Sequence, residues 1–347
     1  MNVRKAAYVA LAVAALLISG LAAAVIFGAS PPPQPSAKQA AAGKIMADSL
    51  GDQPALEKFT ARDGMALAFR RYQGRPGGGL VVLSHGASGS SNGTHILARA
   101  LAGAGIHVLA IDQRGHGDNW PHGDIAYMGQ LDDDMADLAG VLDQHYRDER
   151  RIYLGHSAGG GFALRMASGP NACAFDGYLA ISPFLNFRSA TMRHRAGGFT
   201  VPFTPRIIAL GLLNVVGIDG LDGLPAIAFA VPPENALSQT TFYSWRLLRS
   251  FGLDMRHWQG DIMRISQPTQ VLVGEKDEMF FAEKYQPELV ALQPAIGVRI
   301  IAGADHMGIV QNADAAGVIV TTAQKMLKAP TDAASNCRPK SNPIGGS

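Results

Sequence analysis

"RIYLGHSAGGGFALRMA", Arg151–Ala167, begins as one kind of structure and ends as another. Arg151 to Leu154 contains the β-favouring pair Ile152 and Tyr153 and reads as a short strand. From Phe162 onward, Phe162, Leu164, Met166 and the alanines read as a helix. Between them, Gly155-His156-Ser157-Ala158-Gly159 fits the G-x-S-x-G pattern, which puts a serine at the apex of a sharp strand-to-helix turn. Glycine at 155 and 159 lets strand and helix approach closely, because no Cβ intervenes. The helix start behind Ser157 offers backbone N–H groups and positive potential to a developing anion. The pattern alone arises by chance in glycine-rich chains; set between a strand and a helix, it predicts an exposed nucleophile.

The same alternation extends in both directions. "KFTARDGMALAFRRYQG" alternates around Asp63-Gly64 as a hairpin, and "GGGLVVLSHG" follows as a buried strand. "THILARALAGAG" reads as a helix, "IHVLAID" as a strand and "LDDDMADLAGVLDQHYRDER" as a long helix. In that helix Leu131, Met135, Leu138, Leu142 and His145 share one face, with Asp132 to Asp134 at the start and Arg147 and Arg150 at the end, as the helix dipole favours. After the elbow come the strands "GYLAIS", "TQVLVG" and "VRIIAG" and a closing helix, "DAAGVIVTTAQKMLK". Strands alternating with helices predict an α/β fold with a mostly parallel sheet covered on both faces, in residues 59–184 and 262–329. Residues 185–261 are too long for a plain connection and are rich in Leu, Ile, Val and Phe, which predicts a cap over the carboxyl edge.

Reactive groups in such sheets collect just beyond the carboxyl ends of the strands. A serine hydroxyl needs a base, and in a G-x-S-x-G architecture the partners follow it in the order acid, then histidine. Only His194, His257 and His306 come after Ser157, and only His306, in "IIAGADHMG", directly follows a sheet strand. The preceding strand leads into "GEKDEMF", which offers Glu275, Asp277 and Glu278. Asp277 is the first choice and Glu278 the alternative; Asp305 adjoins His306, and adjacent side chains in an extended turn point apart. An oxyanion would be held by two backbone amides, Ala158 after the nucleophile and Ala87 in "SHGASGSSNGT". His116, in "IDQRGHGDN", precedes the nucleophile and reads as a loop-shaping residue. There is no H-E-x-x-H, clustered Cys/His or G-x-x-x-x-G-K-[ST] pattern, so neither metal nor cofactor is expected.

The chain has 347 residues, 47% hydrophobic, with a net charge of +2, which suits a large globular core and gives no sign of a nucleic-acid partner. Residues 6–29 form an uncharged run, longer than the apolar core of a signal peptide and sufficient for a transmembrane helix. Arg4 and Lys5 precede it, so residues 1–5 are expected in the cytosol and the catalytic domain on the outer side. A cleaved signal peptide, giving a secreted protein, is the alternative. Residues 30–58 open with "SPPPQPSAKQAAAGK" and read as an extended linker, and residues 330–347 as a flexible tail. An exported domain would allow the two cysteines, Cys173 and Cys337, to oxidise; two unrelated thiols is the other reading.

"LSHGASG", "IDQRGHGDN", "GHSAGG", "VGEKDEMF" and "GADHMG" together resemble the α/β-hydrolase superfamily, and within it the monoacylglycerol lipase, lysophospholipase and serine aminopeptidase-like branch. The resemblance runs from about Phe59 to Lys328. It implies a serine hydrolase acting on an acyl ester or lipid-like substrate through Ser157, Asp277 and His306, with amide cleavage, acyl transfer or a silent, membrane-tethered binding role as alternatives. Asp118-Asn119 stands where the branch often has serine, and the cap matches no named member. The family's topology sends the helices before Cys173 and Cys337 to the same edge, which makes a disulfide between them geometrically reasonable.

Overall fold

The computed structural model describes residues 3–193, 198–232, 235 and 238–329. His194, Cys337 and the tail from residue 330 lie outside the described residues. The chain opens with the helices α1 (Val3–Phe27) and α2 (Ala37–Ser49), followed by the antiparallel hairpin β1 (Leu56–Thr60) and β2 (Ala66–Tyr72). Strands and helices then alternate: β3 (Leu80–Ser84), α3 (His95–Gly103), β4 (His107–Ile111), α4 (Gln130–His145), β5 (Arg151–His156), α5 (Ala158–Ser168) and β6 (Gly177–Ile181). An insertion carries β7 (Thr200–Pro202), α6 (Thr204–Val215), β8 (Pro225–Phe229), β9 (Phe242–Ser244), α7 (Trp245–Ser250) and α8 (Trp258–Arg264). The fold closes with β10 (Thr269–Gly274), α9 (Ala282–Leu292), β11 (Gly297–Ile301), α10 (Gly308–Gln311) and α11 (Ala313–Lys328).

The main sheet has eight strands in the order β1-β2-β4-β3-β5-β6-β10-β11, parallel throughout except where β2 meets β1 and β4. Every residue of β3, β4, β5 and β6 is buried, as expected of strands covered on both faces. Period-two alternation splits β5 between two cores: Tyr153 packs with Phe162 and Tyr178 on one face, Ile152 and Leu154 with Leu97, Leu101 and Ile319 on the other. Each such fully buried side chain contributes about 1.5–3 kcal/mol of hydrophobic stabilisation. The insertion forms a second, three-stranded sheet, β7-β8-β9. There α6 buries Ala209 and Leu210 and leaves Ile208, Leu212 and Val215 exposed.

Two local readings need correction. The helix expected through Arg147 and Arg150 stops at His145, and His145 is exposed rather than on the buried face. Tyr146 leaves helical geometry (φ −134°, ψ 36°), and its hydroxyl accepts a hydrogen bond from Arg71 Nη1 at 3.0 Å, which ends the helix early. Likewise, only the first part of the expected linker is extended. Ser36 and Gln39 form a reciprocal capping box, and the alanine-rich segment behind them is the helix α2.

The elbow is as tight as two glycines permit. Ser157 sits at φ 55°, ψ −116° between β5 and α5. A Cβ on Gly155 would lie 2.0 Å from the Gly159 carbonyl oxygen, and one on Gly159 would lie 2.3 Å from the His85 carbonyl oxygen. The neighbours are backbone and cannot swing aside, so Gly155→Ala is expected to cost about 3 kcal/mol or more. A urea midpoint equal to that of the wild type would contradict the close approach.

Candidate active site

Three chain segments converge beyond the carboxyl ends of β5, β10 and β11. The turn after β10 is closed by the Asp277 amide donating to the Gly274 carbonyl at 3.1 Å, and the Lys276 amide donates to Ala304 in the neighbouring loop at 2.8 Å. These bonds bring the loops carrying Asp277 and His306 together. His306 Nε2 lies 3.0 Å from Ser157 Oγ, and His306 Nδ1 lies 2.9 Å from Asp277 Oδ2. With Nδ1–H donating to the carboxylate, Nε2 is left as the acceptor for the serine hydroxyl. Asp277 is buried and accepts further hydrogen bonds at Oδ1 from the Met279 and Phe280 amides, at 2.8 and 3.0 Å. Burial pushes its carboxyl up, but His306 first, with the Met279 amide behind it, outweighs this and holds the group below the usual carboxylate range. The alternative acid, Glu278, instead accepts from the backbone amide of His306 at 3.1 Å.

Of the two expected anion-binding amides, that of Ala158 follows the serine directly, and that of Ala87 follows Gly86. Ala158 begins α5, and Gly86 approaches so closely that a Cβ there would lie 3.1 Å from Ser157 Cβ. Among the described residues, neither the Ala87 nor the Ala158 amide donates an internal hydrogen bond, so both are free to serve an incoming oxygen. The loop holding Ala87 is fixed from the insertion. The Ser88 amide donates to Tyr243 Oη at 3.0 Å, Tyr243 Oη donates to His116 Nε2 at 2.7 Å, and His116 Nδ1 donates to the Arg114 carbonyl at 3.1 Å. Burial first, then neighbouring His85, keeps His116 well below its usual pKa and therefore neutral. His116 shapes the loop and does not reach Ser157, and His257 is exposed beside Asp254.

The part played by His156 shows only in the folded chain. This buried residue donates from Nε2 to the His306 carbonyl at 2.9 Å, so the residue before the serine holds the backbone of the histidine that faces it. Lys38 of α2 was also missed; it lies 3.0 Å from Glu278 and 2.9 Å from Asp305. Cys173 is disulfide-bonded, and its expected partner Cys337 lies outside the described residues. Among the described residues no group of three or more His, Cys, Asp or Glu is placed to hold a metal ion. A cleft of about 400 Å³, lined by Arg75, Gly79, Asp148, Arg150 and Lys328, has none of Ser157, Asp277 and His306 in its wall.

Comparison with known proteins places this geometry among relatives. The family model described as serine aminopeptidase S33 matches residues 76–307. A monoacylglycerol lipase of Mycolicibacterium smegmatis is 32% identical over 120 residues, which cover 31% of this chain and 42% of that protein. Epoxide hydrolase A of Mycobacterium tuberculosis is 40% identical over 87 residues, covering 25% and 26% respectively. The chain therefore matches less than half the length of either relative. Among solved structures, a soluble variant of the Saccharomyces cerevisiae monoglyceride lipase aligns with a TM-score of 0.57 at 18% identity, covering 80% of this chain and 95% of that one, a likeness of fold.

The His156 imidazole carries a pH signature. Burial chiefly, and His306 secondarily, lower its pKa from 6.5 to about 3, while the bond to the His306 carbonyl opposes the shift. As pH falls from about 6.5 towards 3 the unfolded chain takes up a proton that the folded chain refuses, so stability is lost across that window. His156→Gln, which can still donate to the carbonyl, should lose about 2–3 kcal/mol less than the wild type between about pH 7 and about pH 4.5. Equal losses in urea unfolding at the two pH values would refute the assignment.

Proposed function

This chain belongs to the serine aminopeptidase S33 family of α/β hydrolases, and from that premise we propose a membrane-anchored serine hydrolase that cleaves carboxylic esters through an acyl-enzyme. What carries the reading is the series Ser157, His306, Asp277, three side chains far apart in sequence that meet at 3.0 and 2.9 Å. His306 takes the proton from Ser157 Oγ as that oxygen attacks the carbonyl carbon. The amides of Ala87 and Ala158 receive the oxyanion, and buried Asp277 fixes the imidazole and stabilises its protonated form. The imidazolium then protonates the departing alcohol. A water activated by the same His306 releases the acid and restores the serine. Residues 59–184 and 262–329 supply this machinery, and residues 185–261 act as its cap.

The curated lipase relative favours an acyl ester or lipid-like substrate; the serine aminopeptidase description of the family favours an amide, which the same groups could cleave. The epoxide hydrolase likeness fits the site less well: that chemistry calls for a carboxylate at the elbow, where this chain has Ser157. Labelling by a fluorophosphonate probe should disappear in Ser157→Ala, and Asp277→Asn should lower kcat about 10⁴-fold. Unlabelled, folded wild type would favour a silent binding protein. Turnover of aminoacyl anilides in preference to p-nitrophenyl esters would move the assignment to a peptidase.

The anchor is α1. Ala7–Phe27 is a 21-residue apolar stretch of mean hydropathy 2.7, almost wholly exposed, preceded by Arg4 and Lys5. Its last carbonyls are received by the insertion: Arg206 donates from Nε to Val25 at 2.8 Å and from Nη2 to Ile26 at 3.1 Å. The full-length protein should stay in the membrane pellet after alkaline carbonate washing, and a reporter fused after Lys58 should be active only outside the cytosol. Release into the wash, or a processed N-terminus, would instead establish a signal sequence.

A further inference from the structure

The segment between the apolar helix and the fold carries no recognisable motif, yet it is bonded along the core. The Ala42 carbonyl accepts from Gln311 Nε2 at 3.3 Å, Asp52 Oδ1 lies 3.1 Å from His95 Nε2, and the Pro54 carbonyl accepts from Arg70 at 2.5 Å. At its leading end Lys38 Nζ lies 3.0 Å from Glu278 Oε1 and 2.9 Å from Asp305 Oδ2. Each carboxylate uses its other oxygen on the base loop: Glu278 Oε2 accepts from the His306 amide at 3.1 Å, and Asp305 Oδ1 from the Gly308 amide at 2.7 Å. Glu278 adjoins Asp277 and Asp305 adjoins His306, so one ammonium joins the two loops that supply acid and base.

We propose that Lys38, reaching in from α2, is a positioning residue for the hydrolytic reaction: it holds the Asp277 and His306 loops in register and offsets two carboxylates beside the imidazole. This rests on the serine-hydrolase reading above. The three side chains are partly exposed, so the pairs add little to folding. Alignment is more demanding, because a displacement of about 1 Å at a reacting group can cost about 10²-fold in rate. Burial opposes the Lys38 charge, but Asp305 and Glu278 outweigh it and raise its pKa, while Lys38 helps to hold the Asp305 carboxyl low. The charged or titratable groups facing His306 are Asp277 and Glu278 from the loop after β10, His156 from β5, Asp305 on its own loop and, through the carboxylates, Lys38.

The experiment is the pH dependence of fluorophosphonate labelling in full-length, detergent-solubilised protein. Lys38→Met is expected to slow labelling about three- to tenfold near neutral pH. Two carboxylates left uncompensated favour the protonated imidazole, so the acidic limb of the profile should move to higher pH. KM for a p-nitrophenyl ester and the melting temperature should stay close to wild type, and Lys38→Arg should restore both rate and profile. Wild-type rate and profile in Lys38→Met overturn the inference alone, provided that wild type labels and Ser157→Ala does not. Absence of wild-type labelling overturns both the hydrolase reading and this one. If Lys38→Met does not fold, Lys38→Gln provides the same contrast; a rate loss that only tracks melting temperature, with the profile unmoved, also rejects a positioning role.

Discussion

The constraint on which the site depends is the contact between the backbones of β5, α5 and the loop after β3. Ser157 occupies a positive-φ conformation that costs a non-glycine residue about 1–3 kcal/mol, and nothing local compensates for it. The turn persists because both strand and helix are fixed elsewhere. All of β5 is buried between β3 and β6, and seven consecutive residues of α5, from Ala158 to Leu164, are buried, as are Met166 and Ala167. The amide of Ser157 donates to Ile181 of β6 at 2.8 Å, and its carbonyl accepts from Phe184 at 3.0 Å, so both peptide groups of the strained residue are satisfied. The strain is thus supported by the sheet, and the hydroxyl is left pointing where a base can reach it.

The insertion then has a structural role. Tyr243 joins the Ser88 amide to His116, Ser88 Oγ donates to the Thr240 carbonyl at 2.6 Å, and Thr240 Oγ1 donates to Gly115 at 2.9 Å. These bonds are buried, where an unpaired partner costs about 1–3 kcal/mol, so they resist separation. The loop that carries Ala87 is therefore clasped by the insertion. Motion that admits substrate must use other parts of the insertion, or it would disturb the loop beside the nucleophile.

Much of this was legible in the sequence because the relevant signals are local. Buried strands in "LVVLS" and "RIYLG" show as apolar runs, the elbow shows as paired glycines around a serine, and chain order together with position just after a strand picks out His306 and puts Asp277 first among three acids. The helix "SAKQAAAGK" was hidden behind a proline run that governs the reading of its neighbours, although Ser36 and Gln39 have capping-box spacing. The extent of α4 was misjudged because Tyr146 ends it through a contact with Arg71, far away in the sequence. Lys38, His156 and Tyr243 were invisible for the same reason: each matters through a partner more than a hundred residues distant, and no short window contains that pairing.

Those long-range contacts bear on how the folded domain sits relative to α1. A peptide tether of the length between Phe27 and Leu56 would let a domain tumble freely if it were unpaired. Here it is held near its start at two points. Arg206 of α6 binds the closing carbonyls of α1, while Lys38 of α2 binds the loops around His306. The span left between these two attachments is short, and it contains Pro31, Pro32, Pro33 and Pro35, whose rings fix φ. Ile208, Leu212 and Val215 of α6 are exposed on the helix that meets the end of α1, where an aqueous surface would be a poor environment for them. A bilayer around α1, as proposed above, would give those side chains an apolar neighbour.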